Sequence, residues 1–185
     1  MQTDTRPEIR DPRLTPAPAQ HTLDTLAAMR FSDLEALYRA SRAPDSIRDA
    51  DGELRGRMLA IKGPGRSPLT AFARRFAASR SFVWDGKTFL SRDDQRGDGH
   101  NRVSLPRVLG RQNLFPFTTR IDRSVLDSGA TLVLDYDLDV NPGYIRRIHD
   151  EIREVSPRLF LGPAMVKSAR GPMTVLWFAL DGRAS

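Results

Sequence analysis

The stretch from Gly52 to Phe89 constrains this chain more than any other. Leu54, Gly56, Met58 and Ala60 alternate with Arg55, Arg57, Leu59 and Ile61, a period of two that suits a strand. Gly63-Pro64-Gly65 then breaks the run. Ser67 is a good N-cap with Pro68 at the first helical position. Leu69, Phe72, Ala73, Phe76 and Ala77 follow at helical spacing, which predicts a short helix over a core opening. Ser81–Trp84, Asp85-Gly86 and Lys87–Leu90 read as a hairpin, because Asp-Gly accommodates the positive φ values of a type I′ turn. Strand, helix and hairpin in this order suggest the opening of a small, ligand-holding β-barrel.

The flanking segments extend that picture. Residues 1–20 carry Pro7, Pro12, Pro16 and Pro18 and few large apolar groups, so they predict a disordered tail ahead of a single domain spanning residues 21–185. Leu23, Leu26, Ala27 and Met29 fall at helical spacing. Ser32-Asp33-Leu34-Glu35 has the form of a capping box leading a second helix with Leu34, Leu37 and Tyr38 on its apolar face. After a polar loop over 91–100, short strands are expected at 101–105, 107–111 and 115–121, and a clearer one from Thr131 to Leu138. In the last of these Leu132, Leu134, Tyr136 and Leu138 point one way, and Val133, Asp135 and Asp137 the other. Asn141-Pro142 predicts a helix with Ile145, Ile148, Ile152 and Val155 as its buried stripe. Arg146 with Asp150 and Arg147 with Glu151 form i, i+4 pairs on its wet side, and Pro157 closes it. Arg158–Gly162, Ala164–Ser168 and Met173–Leu180 read as final strands. The sum is an α+β, mainly β fold: an antiparallel calycin- or lipocalin-like β-barrel with flanking helices.

Composition narrows the function classes. The chain has no cysteine, which excludes disulfides, thiolate catalysis and zinc-thiolate sites. The formal net charge is +6, but the arginines are scattered and no block of five or more like charges occurs, so we expect no specific nucleic-acid partner. No run of ~18 apolar residues is present, so no membrane span is expected. The acidic, non-apolar N-terminus does not read as a secretory signal, and the chain is read as cytoplasmic. The oligomeric state stays open, a homodimer included.

Gly52 and Gly56, followed by Trp84, Gly86, Lys87 and Phe89, resemble the opening motif of the GXWXG family. Tyr136-Asp137, Pro142, Arg146, Leu161-Gly162 and the 173–180 strand follow the order of the domain of unknown function that accompanies it. The resemblance covers residues 45–181, with Leu54 standing where the family has its signature tryptophan. It implies a calycin-like barrel and no established chemistry.

Several residues could carry chemistry. Asp135 and Asp137 share one strand face: lining a barrel they would be two carboxylates within reach of one ligand, and facing solvent they would leave the core to their neighbours. Val140 and Arg146 stand where an EF-hand loop needs glycine and glutamate, which rejects a calcium loop. His149 lies beside the apolar stripe, as a proton shuttle or as a flanking residue with one hydrogen bond. Lys87 is a buried amine, a Schiff-base nucleophile, an anion anchor or a turn lysine in water. Trp84, Phe89, Tyr136, Phe160, Trp177 and Phe178 form a pocket wall or fill the barrel. No two histidines have metal-ligand spacing, and no phosphate or dinucleotide fingerprint appears, so no metal or cofactor is expected.

The leading reading is binding of a small lipophilic molecule inside the barrel, with Trp84, Phe89, Tyr136 and Trp177 supplying burial. Lys87, Arg57 or His149 would orient a polar, even anionic, end. One alternative is a cofactor-free cyclase, isomerase or hydratase with Asp137 and His149 as its acid/base pair. Another is a protein interaction module with a solid barrel.

Overall fold

The computed structural model describes residues 21–62, 83–104 and 110–183. Its eight strands are β1 (Gly52–Ile61), β2 (Val83–Ser91), β3 (Arg96–Ser104), β4 (Arg111–Arg123), β5 (Ala130–Asp135), β6 (Ile148–Ser156), β7 (Leu159–Val166) and β8 (Met173–Asp181). Each pairs antiparallel with the next, and β8 returns to β1, which closes the barrel in sequence order. Closure removes every free sheet edge. With two short α-helices outside among the described residues, α1 (Leu23–Ala27) and α2 (Phe31–Ala40), the architecture is the calycin-like, mainly β barrel expected from the sequence.

Side-chain parity sorts the residues into two apolar clusters. Leu54, Phe89, Phe117, Leu132, Leu134, Ile152, Phe160, Phe178 and Leu180 face the interior. On β7 and β8 the alternate residues Leu159, Leu161, Trp177 and Ala179 face outward, where Leu26 of α1 and Leu34 and Tyr38 of α2 cover them. The helices therefore coat one wall of the barrel. A 3-10 helix, Ile47–Ala50, plugs one end by adding Ile47 and Ala50 to the interior cluster. Arg158, from the β6–β7 turn, ties it down through the Asp49 and Asp51 carbonyls at 3.2 and 3.0 Å.

Several local expectations are corrected. The segment after Asn141 forms a turn and then β6, not a helix. Ile148 and Ile152 are four residues apart, and four is both about one helical turn and an even strand spacing, so the pair fits either period. Pairing on both sides with β5 and β7 decides for the strand. Arg146 accordingly pairs with Asp137 and Asp139 at 2.7 and 3.0 Å rather than with Asp150, and Arg147 donates to the Lys167 carbonyl rather than to Glu151. Asp85-Gly86 makes no hairpin turn: β2 runs through it, with a register shift between Trp84 and Gly86. Positive φ serves a bulge as well as a turn. The supposed loop over 91–100 contains the end of β2 and the first five residues of β3, whose glycines mask its strand character. A Cβ at Gly99 would run into the Phe117 ring. The segments 158–162 and 164–168 are one strand, with β6 pairing interrupted opposite Gly162-Pro163, where proline has no N–H to donate.

Helix α2 starts at Phe31 with Arg30 as a cap whose side chain makes no capping bond but pairs with Asp33, so Ser32 lies inside the first turn and the capping box does not form there. Reciprocal caps occur instead at Thr22 with Thr25 and at Ser46 with Asp49. The expected tail over 1–20, the helix built on Ser67 and the strand start at 107 lie outside the described residues.

Candidate ligand-binding cavity

A cavity of about 310 Å³ occupies the end of the barrel away from the 3-10 plug. Its wall is apolar, with Met58, Trp84, Phe115, Ile148, Leu176 and Phe178 prominent, and Tyr144 and Ile145 of the β5–β6 connection lie at its mouth. Below it the barrel is solid: Phe89, Phe117 and Tyr136 stack edge to face with ring centroids 5.5 and 5.2 Å apart.

Between the stack and the cavity lies a buried polar cluster. The Lys87 ammonium donates to Asn101 Oδ1 at 2.9 Å, to Asp150 Oδ2 at 3.0 Å and, in a short contact, to the Tyr136 hydroxyl. Tyr136 donates to Asp150 Oδ2 at 3.1 Å, and Trp84 Nε1 donates to Asn101 Oδ1 at 3.0 Å. The rings of Trp84, Phe117, Tyr136 and Phe178 surround Lys87 Nζ at 5.2 to 5.5 Å from their centroids, within cation–π range. Burial pushes the Lys87 ammonium pKa down, and the facing Asp150 carboxylate opposes that shift. Burial and the same carboxylate push the Tyr136 hydroxyl well above its ordinary range. The cluster is thus an ion pair braced by a protonated phenol and an amide.

The bulge in β2 makes this arrangement possible. Trp84 and Lys87 are three apart and should face opposite sides of a regular strand. The extra residue at Asp85-Gly86 restores the parity, so both face inward. Gly86 sits at φ +135°, and Gly56 on β1 lies directly under the Trp84 indole, where a Cβ would come within 2.6 Å of the ring.

The structure gathers four of the residues named from the sequence, Trp84, Lys87, Tyr136 and Phe178, at the cavity, puts Phe89 in the packed layer beneath and leaves Phe160 in the interior cluster. The others lie elsewhere. Arg57 is on the outer surface, ion-paired with Asp24 of α1. Trp177 faces outward, between Phe31 and Tyr38 at centroid distances of 5.9 and 5.5 Å. Asp137 is half-exposed and receives Arg146 Nε at 2.7 Å. Asp135 lies outside as well, with Lys167 Nζ at 3.0 Å. His149 also faces outward, with Nε2 at 3.1 Å from Glu151 Oε1. Asp137 and His149 therefore have separate partners, and neither lines the cavity.

Sequence reasoning missed Asp150 and Asn101. Read as a strand, Ile148-x-Asp150-x-Ile152 places one carboxylate between two inward isoleucines, a legible signal once the period is two. Asn101 is flanked by glycines, a histidine and an arginine and carries no comparable signal.

The outer polar network yields a pH prediction. Burial pushes the Glu151 carboxyl pKa up, but hydrogen bonds from His149, Ser124, Tyr38 and the Val125 N–H together hold it below its ordinary value of 4.5. A carboxyl lowered on folding adds stability that is complete above its unfolded pKa and is lost as pH falls through its folded one. Urea unfolding at about pH 6 and about pH 3 should therefore show a smaller acid loss in E151Q than in the parent. Equal losses would show that Glu151 does not contribute to acid sensitivity.

No family model matches the chain, and no match is found among curated proteins. Among solved structures, a protein from Thermomonospora curvata is similar with a TM-score of 0.48 and 19% sequence identity, over 83% of this chain and 87% of that one.

Proposed function

We propose that this protein binds a small, largely apolar molecule inside the barrel, with the Lys87–Asp150 cluster orienting the buried end. One observation carries the reading: an apolar cavity of about 310 Å³ that ends on a single group of convergent polar side chains. The cavity weighs against a solid-barrel interaction module. Asp137 pairs with Arg146 and His149 with Glu151, and neither lines the cavity, so no observation favours an acid/base enzyme built on that pair. Kinship with the GXWXG family is part of the same proposal, supported by the close packing of Trp84 on Gly56 beside Gly86.

Native mass spectrometry of protein purified from its own host tests the reading. A stoichiometric small molecule released on denaturation is the expected result. A bare protein mass, together with no thermal shift from a panel of lipophiles, would overturn it. The variant A164F supplies a second check, because Ala164 lines the cavity and a phenyl ring there occupies the space a ligand needs. Its expected phenotype is loss of ligand with stability changed by about 1 kcal/mol.

A further inference from the structure

We propose that the cavity selects a neutral lipophile whose buried end is a hydrogen-bond donor, a hydroxyl or an amide N–H, and discriminates against the corresponding carboxylate. This rests on the ligand-binding reading above and gives it a chemical class.

Hydrogen-bonding capacity at the inner end of the cavity decides the class. An ammonium has three N–H donors, and those of Lys87 are matched by Asn101 Oδ1, the Tyr136 hydroxyl and Asp150 Oδ2. Asn101 uses both sides of its amide: Oδ1 accepts from Lys87 and Trp84, and Nδ2 donates to the Phe115 carbonyl at 3.3 Å and to Tyr136 at 3.2 Å. The Tyr136 hydroxyl accepts from Lys87 and Asn101 and donates to Asp150 Oδ2. Every N–H and O–H of the cluster therefore already has an acceptor.

What is left over is an acceptor. Asp150 Oδ1 is buried and has no hydrogen-bond partner among the described residues, and Asp150 lines the cavity. A buried carboxylate oxygen without a partner is costly, so a ligand that donates to it recovers a charge-assisted hydrogen bond. A ligand carboxylate would need donors at this end, and those of the cluster are already taken among the described residues. It would also bring a second negative charge beside Asp150 in an apolar enclosure. An ether offers only further acceptors. The anionic ligand end considered from sequence, with Lys87 as its anchor, is disfavoured because the ammonium is saturated by its own neighbours. Tyr144 lines the mouth of the cavity and is 57% exposed.

The size of the ligand follows from the volume. At about 30 Å³ for each water in the liquid, the cavity holds about ten water-sized groups, which a medium-chain aliphatic compound fills. Decan-1-ol, nonyl methyl ether and nonanoate have equal numbers of non-hydrogen atoms and differ at the head group, so they are suitable probes. Titration of the full chain at neutral pH, followed by calorimetry and by the emission of Trp84 at the wall, is expected to rank the alcohol first. Its margin over the ether should be roughly ten- to a hundredfold, the range of one hydrogen bond to a charged group, and over nonanoate at least as large. Nonanoate or the ether binding as tightly as the alcohol would overturn the donor inference while leaving a binding cavity in place. Binding by none of the three, with no shift from a wider lipophile panel, would overturn the binding reading and this inference with it.

Discussion

Replacing Lys87 with methionine is expected to lower the unfolding free energy by about 3–5 kcal/mol, the usual consequence of removing one partner from a buried ion pair. Lys87 and Asp150 are each about 3% exposed, so no solvent is at hand to take over the carboxylate left behind. The loss is compounded because Tyr136 and Asn101 each give up a hydrogen bond to the ammonium. The double variant K87M/D150L should regain most of the stability, since well-packed apolar residues often equal or exceed a buried ion pair. It should also lose any preference for a hydroxylated ligand, because the open Asp150 oxygen is gone. Urea unfolding of the parent, the single variant and the double variant decides the matter. A single-variant loss below about 1 kcal/mol would show that the pair is not held as the structure places it.

The second large effect is expected at Gly86. Alanine there must adopt φ +135°, a conformation open to glycine and hardly to any other residue, and its Cβ would collide with the Leu54 carbonyl oxygen and lie 2.7 Å from Gly56 N. Both obstacles are backbone, so no side-chain rotation relieves them. G86A should cost about 3 kcal/mol and abolish lipophile binding, because the bulge that turns both Trp84 and Lys87 inward cannot persist. G143A is the control: no atom lies within 4 Å of a Cβ built there, and its expected effect is within about 0.5 kcal/mol. Thermal unfolding and ligand titration of the two variants check this. A G86A protein as stable and as competent as its parent would mean the bulge is not held by this glycine.

How much of this was legible in the residues varies from element to element. The alternation of Leu132, Leu134 and Tyr136 against Val133 and Asp135 is unambiguous, because a period of two has one structural meaning, and these residues face the interior as expected. The segment holding Ile148 and Ile152 is ambiguous in principle, since their spacing of four fits either period. Misreading it as a helix placed Asp150 on a wet face. Asp85-Gly86 states that positive φ is available but not whether the chain reverses there or bulges and continues, which depends on strand partners far along the chain. Trp177 shows the limit for the site. An aromatic residue in an alternating strand belongs to one face or the other, and which face is covered by helices and which encloses the cavity is a property of the assembled barrel.

What the sequence by itself determined is the class of structure and the inventory of chemistry. Short runs with alternating apolar residues, separated by turn residues and without regular strand–helix alternation, argue for an antiparallel, barrel-like fold, because local periodicity is carried by neighbouring residues; the closing pairing of β8 with β1 is non-local. The absence of cysteine excluded disulfides, thiolate catalysis and zinc-thiolate sites on composition alone. What only the tertiary structure decided is the site. Lys87, Asn101 and Asp150 come from three different strands and Tyr136 from the residue just after β5, separated by 14 to 63 positions, and no local pattern ties them together. Closing the barrel makes them neighbours, and excluding water from around them turns four ordinary polar side chains into one cluster with a single unpaired acceptor beside the cavity.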